Sequence, residues 1–337
     1  MKAFSERSNA VMDFLELRII AKCRAIFLLA CVAAPKLALA QTTPGQANDG
    51  NPVRAQMRNV MYHFTDTAAV HIKSLNGQIL PRGTNDIPVL DDKKSFTIRV
   101  DAADIAISAS DLTDILSSYV FAPPHNQLTG ISAAIGNGRL RVKGKLHDKG
   151  DISFESENTP SLTSDGKILL HSEKIKALRV PIKGLMDLLG IQINDLIKNG
   201  KVAGLEALQD DLIIDVEQLL PPPQIEGKIT ALRIEENVIA LTFGGADNKP
   251  MKFTRRGNYI SYQGGRVRFD KITVTDTDII LIDLDPNDPF DFSLDHYIEQ
   301  AAAGYTKITP KFGLRAYVKD FNKLNKLKPA TTREETD

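Results

Sequence analysis

Between Asp211 and Gly245 the sequence reads DLIIDVEQLLPPPQIEGKITALRIEENVIALTFGG, and no other stretch limits so narrowly what the chain can fold into. An apolar run, Leu212, Ile213, Ile214 and Val216, is stopped by Pro221, Pro222 and Pro223, because proline fixes φ and offers no donor to a sheet ladder. Beyond the prolines, Ile229, Leu232 and Ile234 lead to the polar turn Glu235, Glu236, Asn237, and Ile239, Leu241 and Phe243 return. This predicts a hairpin with one apolar and one wet face.

The N-terminus has the order of a secretory signal peptide. A charged region ends in Lys22 and Arg24, Ala25 to Ala34 is apolar but too short to span a bilayer, and Ala38-Leu39-Ala40 offers a small-residue cleavage site. The expected location is therefore secreted or periplasmic after cleavage near Ala40, with Met12 open as an alternative start to Met1. A lipoprotein tethered through Cys31 is the other reading. Both cysteines, Cys23 and Cys31, lie in this leader, so the mature chain would use no disulfide and no thiolate chemistry.

Residues 1–40 carry six basic residues (Lys2, Arg7, Arg18, Lys22, Arg24, Lys36) and three acidic ones (Glu6, Asp13, Glu16) out of 42 of each. The remaining 36 basic and 39 acidic residues give a net charge of −3, which argues against nucleic acid as a partner.

Gln41 to Pro52 reads as a disordered linker. Val53, Met57, Val60, Met61 and Phe64 recur at helical spacing and predict an amphipathic helix. Asn76-Gly77 reads as a turn between strands at Val70-Ile72 and Ile79-Leu80, and Phe96, Ile98 and Val100 as a half-buried strand.

A helix capped by Ser110 should carry Leu112, Ile115, Leu116, Tyr119 and Val120 on one stripe and end before Pro123-Pro124. The turn Gly136-Asn137-Gly138 should join Ile131, Ala133, Ile135 to Leu140, Val142, Leu146. The basic row Arg139, Arg141, Lys143 and Lys145 then faces outward, either as a solvated face or as a site for acidic headgroups.

Ile152 and Phe154, then Ile168 and Leu170 after Asp165-Gly166, continue the sheet. A second, wide apolar helix is expected through Ile182, Leu185, Met186, Leu189, Ile193, Leu196 and Ile197, closed by Asn199-Gly200. Strands at Tyr259–Tyr262, Val267–Val274, Ile279–Leu284 and Phe312–Val318 follow, with a helix capped by Ser293 and a polar tail from Pro329.

No nucleophile elbow, phosphate loop, dinucleotide fingerprint or zinc-protease motif occurs, and the six histidines lack metal-ligand spacing, so an enzyme is the least supported class and no cofactor or metal is implied. Asp283 to Asp291 has the acidity of a calcium loop. It has Asp288 where that loop needs glycine and Leu294 where it needs Glu, so an Asx-type turn is the expectation.

Gly138-Arg-Leu-Arg-Val142, Lys174 to Pro181 leading into the Leu-rich helix, and Leu219-Leu-Pro-Pro-Pro223 followed by Ile229 to Phe243 carry a resemblance. Over about residues 128–245 the chain resembles the bacterial secreted phospholipid-binding family of the mannan-elongation type, which is similar in architecture to tubular lipid-binding proteins. The resemblance implies an α+β fold, a strongly curved antiparallel sheet of hairpins wrapped around apolar helices, with acyl chains between them.

The organisation expected is a leader (1–40), a linker (41–52), an N-terminal helix and hairpin (53–94), the lipid-binding-like domain (95–245), a β-rich extension continuing the sheet (246–328) and a tail (329–337). Leu112, Leu116 and Tyr119 of the first helix and Leu185, Leu189, Ile193 and Leu196 of the second should face one apolar space. Leu140, Val142, Ile239 and Leu241 should form its opposite wall. The partner is then a lipid or other hydrophobic ligand, with transient membrane contact. Apolar stripes equally suit an ordinary closed core, so a non-catalytic cell-envelope interaction module remains the alternative.

Overall fold

The computed structural model describes residues 52–121, 128–147, 151–177, 203–208, 211–244, 253 and 255–324. The leader, the linker before Pro52, the Leu-rich stretch from Ile182 to Gly200 and the tail lie outside the described residues.

The chain opens with three long strands, β1 (Val53–His63), β2 (Ala69–Pro81) and β3 (Phe96–Ser108), followed by a short helix, α1 (Ala109–Asp114), that continues as a π turn over Ile115–Val120. Next come β4 (Leu128–Gly136), β5 (Arg139–His147), β6 (Asp151–Leu162), β7 (Ile168–Ala177), β8 (Leu205–Leu208) and β9 (Asp211–Ile214). The helical turn α2 (Val216–Leu219), β10 (Gln224–Glu226), β11 (Ile229–Glu235) and β12 (Val238–Phe243) lead to the last part of the chain. That part holds β13 (Tyr259–Gln263), β14 (Arg266–Phe269), β15 (Ile272–Thr275), β16 (Asp278–Asp283), β17 (Phe290–Ser293), α3 (Tyr297–Ala302), β18 (Tyr305–Ile308) and β19 (Leu314–Val318).

An 11-stranded sheet runs β11-β12-β3-β2-β1-β13-β16-β19-β18, with β10 and β17 parallel to β3 and β1. A 6-stranded sheet runs β4-β5-β6-β7-β9-β8, and β14 pairs β15 on its own. Because β12 pairs β3 directly, everything from α1 to α2 is inserted between strands that are neighbours in the large sheet. One apolar cluster takes in side chains of both sheets. The polypeptide from β13 onward joins the N-terminal strands through β1, Met57 opposite Ile260.

The fold is therefore mostly β, and the expected α+β architecture is corrected. Among the described residues the helices are short, the longest being the single α1 and π-turn segment, and no apolar helix is wrapped by a sheet. None is long and apolar enough to cross a membrane.

The helix expected from Val53 to Phe64 is strand β1. Val53, Ala55 and Met57 are buried, then Val60, Tyr62 and Phe64, and the phase changes at Asn59, whose φ is 51°. A phase flip in a period-two pattern leaves residues 53, 57, 60 and 64 at spacings of four and three, which imitates a helix.

The Asn76-Gly77 turn is also overturned, since both residues lie inside β2. Gly77 is there because a Cβ would stand 2.2 Å from the Arg99 carbonyl oxygen of β3. The first helix is capped two residues earlier than expected. Ser108 Oγ accepts from the Asp111 N–H at 3.1 Å and Asp111 returns a bond to the Ser108 N–H, a reciprocal capping box. Ser293 ends β17 instead of capping a helix, and α3 starts after His296.

The hairpins follow the sequence closely. Gly136 pairs Arg139 across Asn137-Gly138, whose φ values of 52° and 72° give the two left-handed residues of a tight turn matched to strand twist. β11 and β12 turn at Glu236-Asn237, after α2 capped by Asp215.

Candidate functional site

The two sheets do not close fully on each other. Between them is a cavity of about 230 Å³ walled almost wholly by aliphatic and aromatic side chains. The large sheet contributes Ile72 and Leu75 from β2, Ile98, Val100 and Ile105 from β3, and Ile239, Leu241 and Phe243 from β12. The small sheet faces them with Leu128 and Ile131 of β4, Leu140 and Val142 of β5, Phe154 of β6 and Leu170 of β7. Helix α1 and its π turn close one side with Leu112, Ile115 and Leu116. Thr113 fixes that helix, donating to the Ala109 carbonyl and accepting the Ala133 N–H of β4, both at 2.8 Å.

Among the expected site residues, Leu112, Leu116, Leu140, Val142, Ile239 and Leu241 thus meet around one space. Tyr119 packs against the same core, its phenol pushed up by burial, but is not on the cavity wall. Leu185, Leu189, Ile193 and Leu196 lie outside the described residues. The wall opposite β5 is built by β1, β2 and β3 as well as β12, and the reading of residues 53–64 as a helix hid that contribution. The alternation Phe96, Ile98, Val100 was its visible trace.

A polar cluster on the small sheet was not among the expected site residues. Ser156 and Asn158 of β6 and Ser172 of β7 point into the cavity. Asn158 donates from Nδ2 to the Leu140 carbonyl at 3.1 Å and to Ser156 Oγ at 3.0 Å, and accepts the Ser172 hydroxyl at 2.7 Å. The available signal was phase: residues 156 and 158 share the inward parity of Phe154, so two polar residues stand where the strand should be apolar.

The outward face of the same sheet carries a matched ion-pair ladder. Arg141 lies 3.1 Å from Glu155 and 3.9 Å from Glu157, Lys143 lies 3.6 Å from Glu155, and Arg139 pairs with Glu173. Arg139, Arg141 and Lys143 thus have carboxylates of their own chain to neutralise them, which removes the main reason to place acidic headgroups there.

No family model, curated protein or solved structure matches this chain.

The acidic stretch after β16 is occupied from within. Lys323 Nζ sits 2.7 Å from Asp285, 2.9 Å from Asp320 and 3.3 Å from Asp288, where a cation bound by these carboxylates would sit. The Asp285 N–H bonds Asp283 Oδ1 at 2.7 Å, an Asx turn. Lys323 holds the Asp285 carboxyl below the usual range, and burial raises that of Asp320.

Proposed function

We propose that this chain is an exported lipid-binding protein that holds an apolar chain in the space between its two sheets. The observation that carries the reading is the cavity itself. Its wall is almost wholly apolar, and apolar surface left uncovered costs about 25 cal/mol per Å². Each acyl methylene buried there contributes about 0.8 kcal/mol, so a short run of chain offsets the loss. The leader and the resemblance to secreted phospholipid-binding proteins support the same reading, although here the apolar space lies between sheets and not between a sheet and a helix.

The test is native mass spectrometry and solvent extraction of protein purified from the periplasm or medium. A bound amphiphile near one per chain is expected. Protein that carries none, and takes up none from detergent-solubilised envelope lipid, contradicts the proposal.

A second reading, a non-catalytic envelope interaction module, draws on the edge of the large sheet. Tyr305 and Ile308 on β18 are exposed, and Phe312, 89% exposed at a φ of 62°, stands at the tip before β19. A stoichiometric protein partner lost on Phe312→Ser, from a chain with no bound lipid, would favour it.

A further inference from the structure

We infer that the ligand buried at the small sheet is a neutral, hydroxyl-bearing amphiphile, and that its hydroxyl is received by the Ser156, Asn158 and Ser172 cluster. The inference rests on the cavity being a ligand site.

Hydrogen-bond accounting in the cluster decides the polarity of the group it accepts. The Asn158 amide orientation is fixed, because only its NH₂ can serve the Leu140 carbonyl. Its second N–H goes to Ser156 Oγ, and its oxygen takes the Ser172 proton. Ser156 turns its own hydroxyl to the Val142 carbonyl at 3.5 Å. The donors of Asn158, Ser172 and Ser156 are thereby directed at partners of the sheet itself, and what these side chains still offer the cavity are oxygen lone pairs. Such a surface takes a hydrogen bond and has no N–H with which to give one. An alcohol suits it, and an ester or ether oxygen does not.

Charge narrows the class further. No Lys, Arg or His is among the described residues that wall the cavity. The charged wall residue is Asp211, half-exposed on β9 and 2.7 Å from His171 Nδ1. On the facing sheet, Tyr62 lines the space with a phenol whose ionisation burial pushes well up, so it supplies no counter-charge. A carboxylate or phosphate drawn into this interior would lose its hydration without meeting a cation, and Asp211 would repel it. A charged head is therefore excluded from the interior, and a neutral alcohol is accepted.

Three probes of one chain length separate the possibilities: hexadecanol, methyl hexadecanoate and hexadecanoate, each titrated into delipidated full-length mature protein near neutral pH. Hexadecanol is expected to bind about tenfold tighter than the methyl ester, the worth of one buried hydrogen bond. It should bind about 100-fold tighter than the carboxylate. Ser172→Ala is expected to bring the alcohol-to-ester ratio close to one while the ester binds as before. Because that variant could also loosen β7, Ser172→Thr, which keeps the hydroxyl, should retain the preference. Equal binding of alcohol and ester by the unmodified protein, or carboxylate binding as tight as alcohol, overturns the inference and leaves the cavity as a general apolar site. Binding of none of the three removes the cavity reading itself, and this inference with it.

Discussion

Phe154 lies over Gly144: a Cβ at residue 144 would stand 2.9 Å from the Phe154 Cζ and 2.6 Å from the Ile131 Cδ1. Gly144 has the inward phase of β5, next to Val142, so its missing side chain is what lets the aromatic ring and Ile131 rest on the strand as cavity wall. Gly144→Val should push both into the open space. The expected result is a fold that survives with about 1–3 kcal/mol less stability, as for other overpacked cores, together with a clear loss of extractable ligand. Urea unfolding and ligand extraction on the same preparation check it.

On the other face of that strand a substitution should do little. Arg141 is paired with Glu155 and Glu157 at an exposed position, and such pairs contribute about 0.2–1 kcal/mol. Arg141→Ala should leave ligand content unchanged and move the urea midpoint only slightly. A loss of ligand without a loss of stability would mean that the outer row takes part in binding.

The hairpins were legible in the sequence because their signals are local. Asn137-Gly138 needs two left-handed residues, and Pro221 to Pro223 must stop a strand. Residues 53–64 were misread because the phase change at Asn59 depends on tertiary context: β1 pairs β13 through Arg58 and β17 from Val60 onward. Asn59 is held there by its own side chain, which meets His71 Nε2 at 2.8 Å and donates to Asn258 at 2.9 Å. Gly77 misled in the same way, since the Arg99 carbonyl that excludes a side chain is far along the chain. Part of the cavity wall was legible as alternation at Leu140, Val142, Ile239 and Leu241. The Ser156, Asn158 and Ser172 cluster left a weaker trace, the parity that residues 156 and 158 share with Phe154, because polar side chains by themselves read as outward.

Stability should depend on pH through Asp283. Burial, followed by the nearby charges of Asp320 and Asp288, pushes its carboxyl up from 3.8 to about 6, although bonds from Asn258 and the Asp285 N–H pull the other way. The folded protein keeps a proton that the unfolded chain releases near 3.8, so this contribution is complete below that pH and is lost as pH rises through about 6. Asp285 shifts in the opposite direction, so the comparison with Asp283→Asn isolates the effect. The wild type should lose stability relative to Asp283→Asn across this window, and a flat difference would contradict it.

Removing the ammonium from the acidic cluster should expose its cation-binding character. Lys323→Gln leaves Asp285, Asp288 and the buried Asp320 without their counter-charge, and should lower the urea midpoint. Millimolar calcium, a hard cation suited to carboxylate oxygens, should recover part of that loss in the variant and do little to the wild type. Equal calcium effects on both would show that Lys323 does not hold the cation position.

The position of the bound alkyl chain is the decisive quantity. A diazirine-bearing hexadecanol, loaded into the purified protein, irradiated and mapped by peptide mass spectrometry, locates it directly. Adducts are expected on both facing walls, at residues such as Leu140 and Leu170 of the small sheet and Ile105 and Leu241 of the large one, and they should be competed away by unlabelled hexadecanol. Adducts confined to the outer edge around Tyr305 and Phe312, or none that competitor removes, would contradict a lipid site between the sheets.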